Sequence, residues 1–223
     1  METCMTDDAI WAHFEPELRA TLPDAIRRYV FATQVEIDDV SDEHGLVLIV
    51  GDDWRLLANE AAPDAVAQPT SQLGVAAGYV WVASEGVDEV MGALESAGGE
   101  QVSEAELEHL RIEHGMARWG REMNEKSLPP EMNLDDIAID YDKGCYVGQE
   151  AMAKIKFRGK VNRKLRRLRT VERARPGSEV MFEGAKAGTV TSSTDGFALA
   201  VIRHTIEPGS DVAIGGATAT VIE

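Results

Sequence analysis

Residues 143–150 read KGCYVGQE, which sets Cys145 between Gly144 and Gly148 and beside Lys143 and Tyr146, in a chain whose other cysteine is Cys4. A cysteine that fills a core needs none of these neighbours. The glycines open backbone conformations that side chains oppose. If the following QEAMAKIKF is helical, Gly148 stands just before its first turn, where free N–H groups and the charges of Lys143 and Lys154 favour a thiolate. A partly exposed thiolate reacts with metals, oxidants or a second thiol. Lone cysteines also serve as inert packing, and no histidine is close enough along the chain to be assigned as a base, so these residues alone leave both roles open.

A second candidate is Glu113. Ser103 followed by Glu106 is a capping-box signature, and it predicts a helix from Ser103 to about Trp119. At about 100° per residue, with Leu107 at zero, Leu110, Ile112, Met116, Ala117 and Trp119 cover an arc from about 120° to 300°. Glu113 falls at about 240°, inside that arc. A carboxylate among apolar neighbours is costly unless a donor pairs with it, so the position suits a ligand offering two parallel N–H donors. The competing reading is a helix end, with Gly115 as the stop and Glu113 reaching water. Arg111 lies about 160° away, which gives it a structural role or one on another surface. His109 and His114 are five apart, not the spacing of two metal ligands on one helix face.

These residues need elements to hold them. Residues 8–30 are expected to be helical with a break near Pro23. YVFATQVEI, GLVLIVG and AAGYVWVAS read as strands, and DDWRLLANEA and VDEVMGALESAGG as helices. Strands and helices interleave to about residue 120, and a loop follows in which Pro129-Pro130 excludes regular structure. From Lys164 the pattern changes to six short alternating runs, spaced by Gly177, Gly184, Gly188, Gly196, Gly209 and Gly215-Gly216. That spacing predicts a small antiparallel barrel or sandwich of five or six strands. The fold class expected is α+β, with residues 1–160 as an α+β domain and 161–223 as a β-barrel.

The composition narrows the functions. With 44% apolar and 27% charged residues the chain fills a core and covers it with a polar surface. No apolar run approaches the roughly 20 residues of a membrane helix. The first residues carry early acids in place of a basic-then-apolar signal pattern, which points to the cytoplasm. Two separated cysteines suit a reducing compartment and fall short of the four thiolates that an iron–sulfur cluster usually takes from protein. The net charge is −17. Between Lys143 and Arg175 there are twelve Lys/Arg against Glu150 and Glu172, a local surplus of ten, so the rest of the chain stands at −27. Such acidity argues against general binding to nucleic acid or an anionic membrane. The basic island offers either one localised anionic contact or a solvated strand face.

RIEHGMARWGRE (111–122), PPEMNLDD (129–136), KGCYVGQE (143–150) and the RGKVNRKLRRL that follows resemble the YgfZ branch of the folate-binding proteins related to the glycine-cleavage T-protein. KGCYVGQE fits that branch's K-G-C-Y-x-G-Q-E signature at all seven specified positions. RIEHG is similar to the R-x-E-x-G segment, and AKAGTVTSS to the G-x-V-T-S turn of the C-terminal barrel. The resemblance runs from about residue 8 to the C-terminus and is strongest over 107–168.

The resemblance implies that Glu113 grips the pterin of tetrahydrofolate, whose 2-amino-4-oxo edge presents an N–H and an NH₂ in parallel. It implies that Cys145 is the working thiol, in a loop shaped by Lys143, Gly144, Tyr146, Gly148, Gln149 and Glu150. It implies support for the assembly or repair of iron–sulfur client proteins, an indirect link to tRNA modification, no metal site of its own, and a basic island that meets a folylpolyglutamate tail or another anionic partner. In this family the domain begins with strands and helices upstream of the segment like residues 8–50. The expectation is therefore an N-terminally shortened folate-binding domain without the aspartate that is catalytic in the aminomethyltransferases. The alternatives are an aminomethyltransferase passing a one-carbon unit to tetrahydrofolate, an RNA-binding module, and a truncated remnant without activity.

Overall fold

The computed structural model describes residues 1–6, 9–30, 34–159 and 161–222, with the Arg158 side chain left aside. The chain divides into two compact units: residues 1–70 with 75–101, and residues 71–74 with 102–223.

In the first unit, β1 (Glu2–Met5) and β2 (Ile10–His13) form an antiparallel hairpin. Helix α1 (Leu22–Arg27) follows, then β3 (His44–Val50), α2 (Trp54–Ala61), β4 (Val66–Pro69), β5 (Ala77–Ala83) and α3 (Val87–Ser96). The sheet is antiparallel in the order β3-β5-β4. Alternation puts Val47 and Ile49 of β3 with Val80 and Val82 of β5 on one face, where Trp54 and Ala58 of α2 and Val90 and Leu94 of α3 close the core.

Two expectations fail in this unit. The helix expected over residues 8–30 is a strand at Ile10–His13 and a short helix at Leu22–Arg27. Trp11 stacks edge-on against Trp81, and His13 against Tyr79, so long-range aromatic contacts override the local pattern. The strand expected over 29–37 falls partly on residues 31–33, outside the described residues, and 34–37 are irregular. The sequence reading also missed β4, a four-residue edge strand ending in Pro69.

In the second unit, α4 (Glu104–Glu113) is followed by a 3-10 turn at Pro129–Met132, then α5 (Asp135–Ala138) and α6 (Gln149–Arg158). The double proline thus begins a 3-10 turn, where the sequence predicted no regular structure. Its fixed φ suits a first helical turn, which has no need of the missing N–H.

Six strands complete the unit: β6 (Arg163–Thr170), β7 (Glu179–Phe182), β8 (Ala185–Thr194), β9 (Phe197–Arg203), β10 (Asp211–Ile214) and β11 (Ala217–Val221). They close into a barrel in the order β10-β11-β6-β9-β8-β7, every pair antiparallel. The predicted barrel is present, with each of its six runs in a strand. Its interior holds Leu168, Val180, Val190, Ala198, Ala200, Ile202, Val212 and Val221, all nearly inaccessible.

A second cluster lies outside the barrel wall, where Ile112 of α4 and Met132 of the 3-10 turn pack on Leu165 and Leu199. A bulge near Thr191 in β8 shapes this outer face. Val190 pairs with Ala200 of the interior, but Ser192 pairs with Leu199 and Thr194 with Phe197, both on the outside. Simple alternation would send Ser192 and Thr194 inward with Val190. The extra residue re-aims both.

Candidate functional site

Helix α4 starts as predicted. The Ser103 hydroxyl accepts from the Glu106 N–H, and the Glu106 carboxylate accepts in return from the Ser103 N–H at 2.7 Å. It ends earlier than predicted, at Glu113 and not near Trp119. Gly115 takes φ of 76°, the Gly115 N–H bonds to the Ile112 carbonyl, and the Met116 N–H reaches back to the Arg111 carbonyl at 2.9 Å. These two bonds form a Schellman stop, which requires a left-handed residue and is best served by glycine.

Glu113 therefore sits on the last residue of the helix with 38% of its side chain exposed. This is the helix-end reading, in which the carboxylate reaches water. Its Oε2 lies 3.4 Å from His109 Nε2, one turn back, while His109 Nδ1 is 2.8 Å from the Thr194 hydroxyl on β8. Arg167 of β6 donates to the Glu113 carbonyl. The four residues after Glu113 line a cavity of about 130 Å³ with Met132, Asn133, Leu134, Ile137, Leu165 and Arg167.

Arg111 has the structural role read for it. It is 4% exposed and bonds Glu108 through Nε and Nη2 at 2.9 and 2.6 Å, Glu122 at 2.7 Å, the Met116 carbonyl at 2.5 Å and Ser192 at 3.0 Å. Ser192 donates to the second Glu122 oxygen at 2.6 Å, and the Arg118 N–H donates to the first at 3.0 Å. Burial works against the Arg111 charge, but the Glu108 hydrogen bond and the charges of Glu122 and Glu108 outweigh it and hold the guanidinium above its ordinary pKa. Glu108 likewise sits below its ordinary value: burial pushes it up, and Arg111 pulls it down further. Sequence reasoning missed Glu122, Ser192 and the His109 contact. Only the last left a signal, the i, i+4 spacing of His109 and Glu113.

KGCYVGQE forms the loop into α6. Asp140 accepts from the N–H groups of Asp142 and Lys143 at 2.9 and 3.1 Å, an Asx-type turn that starts it. Gly148 is the N-cap with φ of 88°, left-handed as the glycine reading requires. Cys145 is exposed. Lys143 stands over the Tyr146 ring at 5.0 Å, and the Gln149 amide donates to the Lys143 carbonyl at 3.4 Å. Lys154, read as a charge for the thiol, instead pairs with Glu150 at 2.6 Å. Gly144 faces open space, and the Tyr146 hydroxyl is buried without a hydrogen bond among the described residues.

Beside the loop is a cleft of about 520 Å³ lined by residues 135–143 and Lys156, four of them aspartates. Lys156 lies over Tyr141 at 3.8 Å. Burial, with the nearby charges of Asp135, Tyr146 and Asp136, raises the Tyr141 phenol above its ordinary pKa.

Three arginines of the basic island are engaged within the chain. Arg163 pairs with Glu131 at 3.1 Å, Arg166 is 9% exposed and lies 3.6 Å from Glu207, and Arg169 covers the Phe197 ring. Among the described residues no group of three or more His, Cys, Asp or Glu is placed to hold a metal ion, and no helix is long and apolar enough to cross a membrane.

The chain is similar to proteins of one superfamily. It is 31% identical over 100 residues to the tRNA-modifying protein YgfZ of Aliivibrio fischeri, covering 40% of this chain and 31% of the relative. It is 30% identical over 144 residues to the mitochondrial iron-sulfur cluster assembly factor IBA57 homolog of Mycosarcoma maydis, covering 63% and 33%. These relatives include proteins of the YgfZ-like branch that the sequence resembles. A third relative, the aminomethyltransferase of Rubrobacter xylanophilus, is 27% identical over 189 residues, 75% of this chain and 50% of that protein. The chain thus spans half or less of the length of these relatives. No protein-family model matches it. Within the superfamily, the α+β architecture with a closed six-stranded barrel is the arrangement expected from the resemblance.

Proposed function

We propose that this chain is a tetrahydrofolate-binding protein of the cytoplasm that supports the assembly or repair of iron–sulfur proteins, with tRNA modification affected through client enzymes. Residues 1–160 are its folate-binding part and 161–223 its barrel. Cys145 is the working thiol, and Lys143, Gly144, Tyr146, Gly148, Gln149 and Glu150 hold the loop that presents it. The observation carrying the proposal is the exposure of Cys145 in a turn fixed at both ends, by Asp140 and by the Gly148 cap. A packing cysteine has no reason to stand there.

Glu113 is the pterin anchor. Its carboxylate is half-exposed, and the four residues that follow it line a cavity that is apolar at Met116, Met132, Leu134 and Leu165, and polar at Asn133 and Arg167. A flat heterocycle with two parallel N–H donors suits that mixture, since the carboxylate accepts both. Tetrahydrofolate is the bound ligand in this reading, and no residue of the chain is assigned a catalytic role in one-carbon transfer.

Calorimetric titration with mono- and polyglutamylated tetrahydrofolate tests the anchor, with binding expected for the wild type and lost in Glu113→Ala. Complementation of a cell lacking its YgfZ-type protein tests the thiol. Cys145→Ala is expected to fold normally and to fail, and full complementation by that variant would sink the reading. Production of methylenetetrahydrofolate from an aminomethylated carrier protein would favour a transferase instead.

A further inference from the structure

We propose that Thr194 and His109 form a positioning relay that orients the Glu113 carboxylate towards its ligand, an inference that rests on the reading of Glu113 as a pterin anchor. Thr194 ends β8 at 9% exposure and faces outward because of the bulge near Thr191. Its hydroxyl is 2.8 Å from His109 Nδ1, and His109 Nε2 is 3.4 Å from Glu113 Oε2. When the Thr194 hydroxyl donates to Nδ1, the ring proton must sit on Nε2, the nitrogen that lies 3.4 Å from Oε2. Glu113 Oε1 and one lone pair of Oε2 stay available to accept from a ligand's N–H and NH₂.

The backbone of Glu113 is held as well, since Arg167 donates to its carbonyl. The relay therefore fixes the one part of Glu113 still able to turn. An exposed His–Glu pair alone holds its geometry weakly. The link to a buried strand residue is what makes this pair a rigid one.

The test is titration of the full chain with tetrahydrofolate, alongside Thr194→Val, Thr194→Ser, His109→Ala, the His109→Ala/Thr194→Val double variant and Glu113→Ala, with melting curves for each. Thr194→Val is nearly isosteric and removes only the hydroxyl, so affinity is expected to fall about two- to fivefold with little change in melting. Thr194→Ser restores the hydroxyl and the affinity. His109→Ala falls as far, and the double variant no further, because both residues act through one carboxylate. If Thr194→Val fails to fold, His109→Ala at its half-exposed position carries the test together with Thr194→Ser.

Wild-type affinity in Thr194→Val and His109→Ala, with binding lost in Glu113→Ala, overturns the relay and leaves the anchor standing. Wild-type affinity in Glu113→Ala, or no binding by the wild type, overturns the anchor and the relay together.

Discussion

Glu122→Ala tests the network that places α4 on the barrel. The Glu122 side chain is fully buried and accepts three hydrogen bonds, from Arg111, the Arg118 N–H and Ser192. Truncation leaves a buried guanidinium short of one carboxylate and orphans two further donors. Removing one partner of a buried ion pair costs about 3–5 kcal/mol. Arg111 keeps Glu108 on two nitrogens and the Met116 carbonyl, so the lower figure applies, about 3 kcal/mol. For a unit of this size roughly 3–5 °C of Tm accompany each kcal/mol, giving a fall of roughly 10–15 °C.

Differential scanning calorimetry of the full chain reads this directly in the transition of the barrel unit. Glu122→Gln keeps one acceptor oxygen, enough for Ser192 or for the Arg118 N–H but not for both, and is expected to lose less than Glu122→Ala. Replacing the pair together, as Arg111→Met with Glu122→Leu, is expected to recover part of the loss, since apolar groups need no partners while Ser192 and the Arg118 N–H still lack theirs. A Glu122→Ala transition within about 3 °C of wild type would refute the view that this carboxylate neutralises a desolvated charge.

Three further outcomes follow from the same geometry. Gly115→Ala forces a side chain into the left-handed region, so the barrel unit is expected to lose about 1–2 kcal/mol in urea unfolding and α4 to fray at Glu113. Cys145→Ser is expected to stay within about 0.5 kcal/mol of wild type, and in the wild type Cys145 should react with a thiol reagent before the partly buried Cys4; the reverse order would contradict the exposed loop. The Glu108 carboxylate has a folded pKa below its ordinary value, so its contribution is present above pH 4.5 and is lost as pH falls through the lowered value. Melting between pH 6 and pH 3 should therefore fall less steeply in Glu108→Gln than in the wild type.

The barrel was legible because each strand is a short alternating run between glycine turns, a local signal that the closed fold leaves intact. The start of α4 was legible for the same reason, since its capping box lies within four residues. Ile10–His13 was not, because its strand conformation depends on Tyr79 and Trp81, more than sixty residues away. In the site, the spacing showed that Arg111 and Glu113 belong to different faces. It could not show Glu122 or Ser192 as partners of Arg111, because Ser192 faces outward only through a bulge that leaves no mark in GTVTSST. The exposure of Glu113 hinged on where α4 stops, and a helix continued past Gly115 would have hidden it.

The strand order of the barrel has a consequence for how the chain is made. β6, the first barrel strand to leave the ribosome, is flanked by β9 and by β11, the last to be synthesised. Leu168 and Thr170 wait for Val221 and Ala219 while all the other barrel strands are made. A stop codon directly after Gly216 would leave both β6 and β10 with an open edge, and the Arg167 that steadies Glu113 lies on β6. Residues 217–221, far along the chain from Glu113 and Cys145, therefore hold a veto over how Glu113 is held.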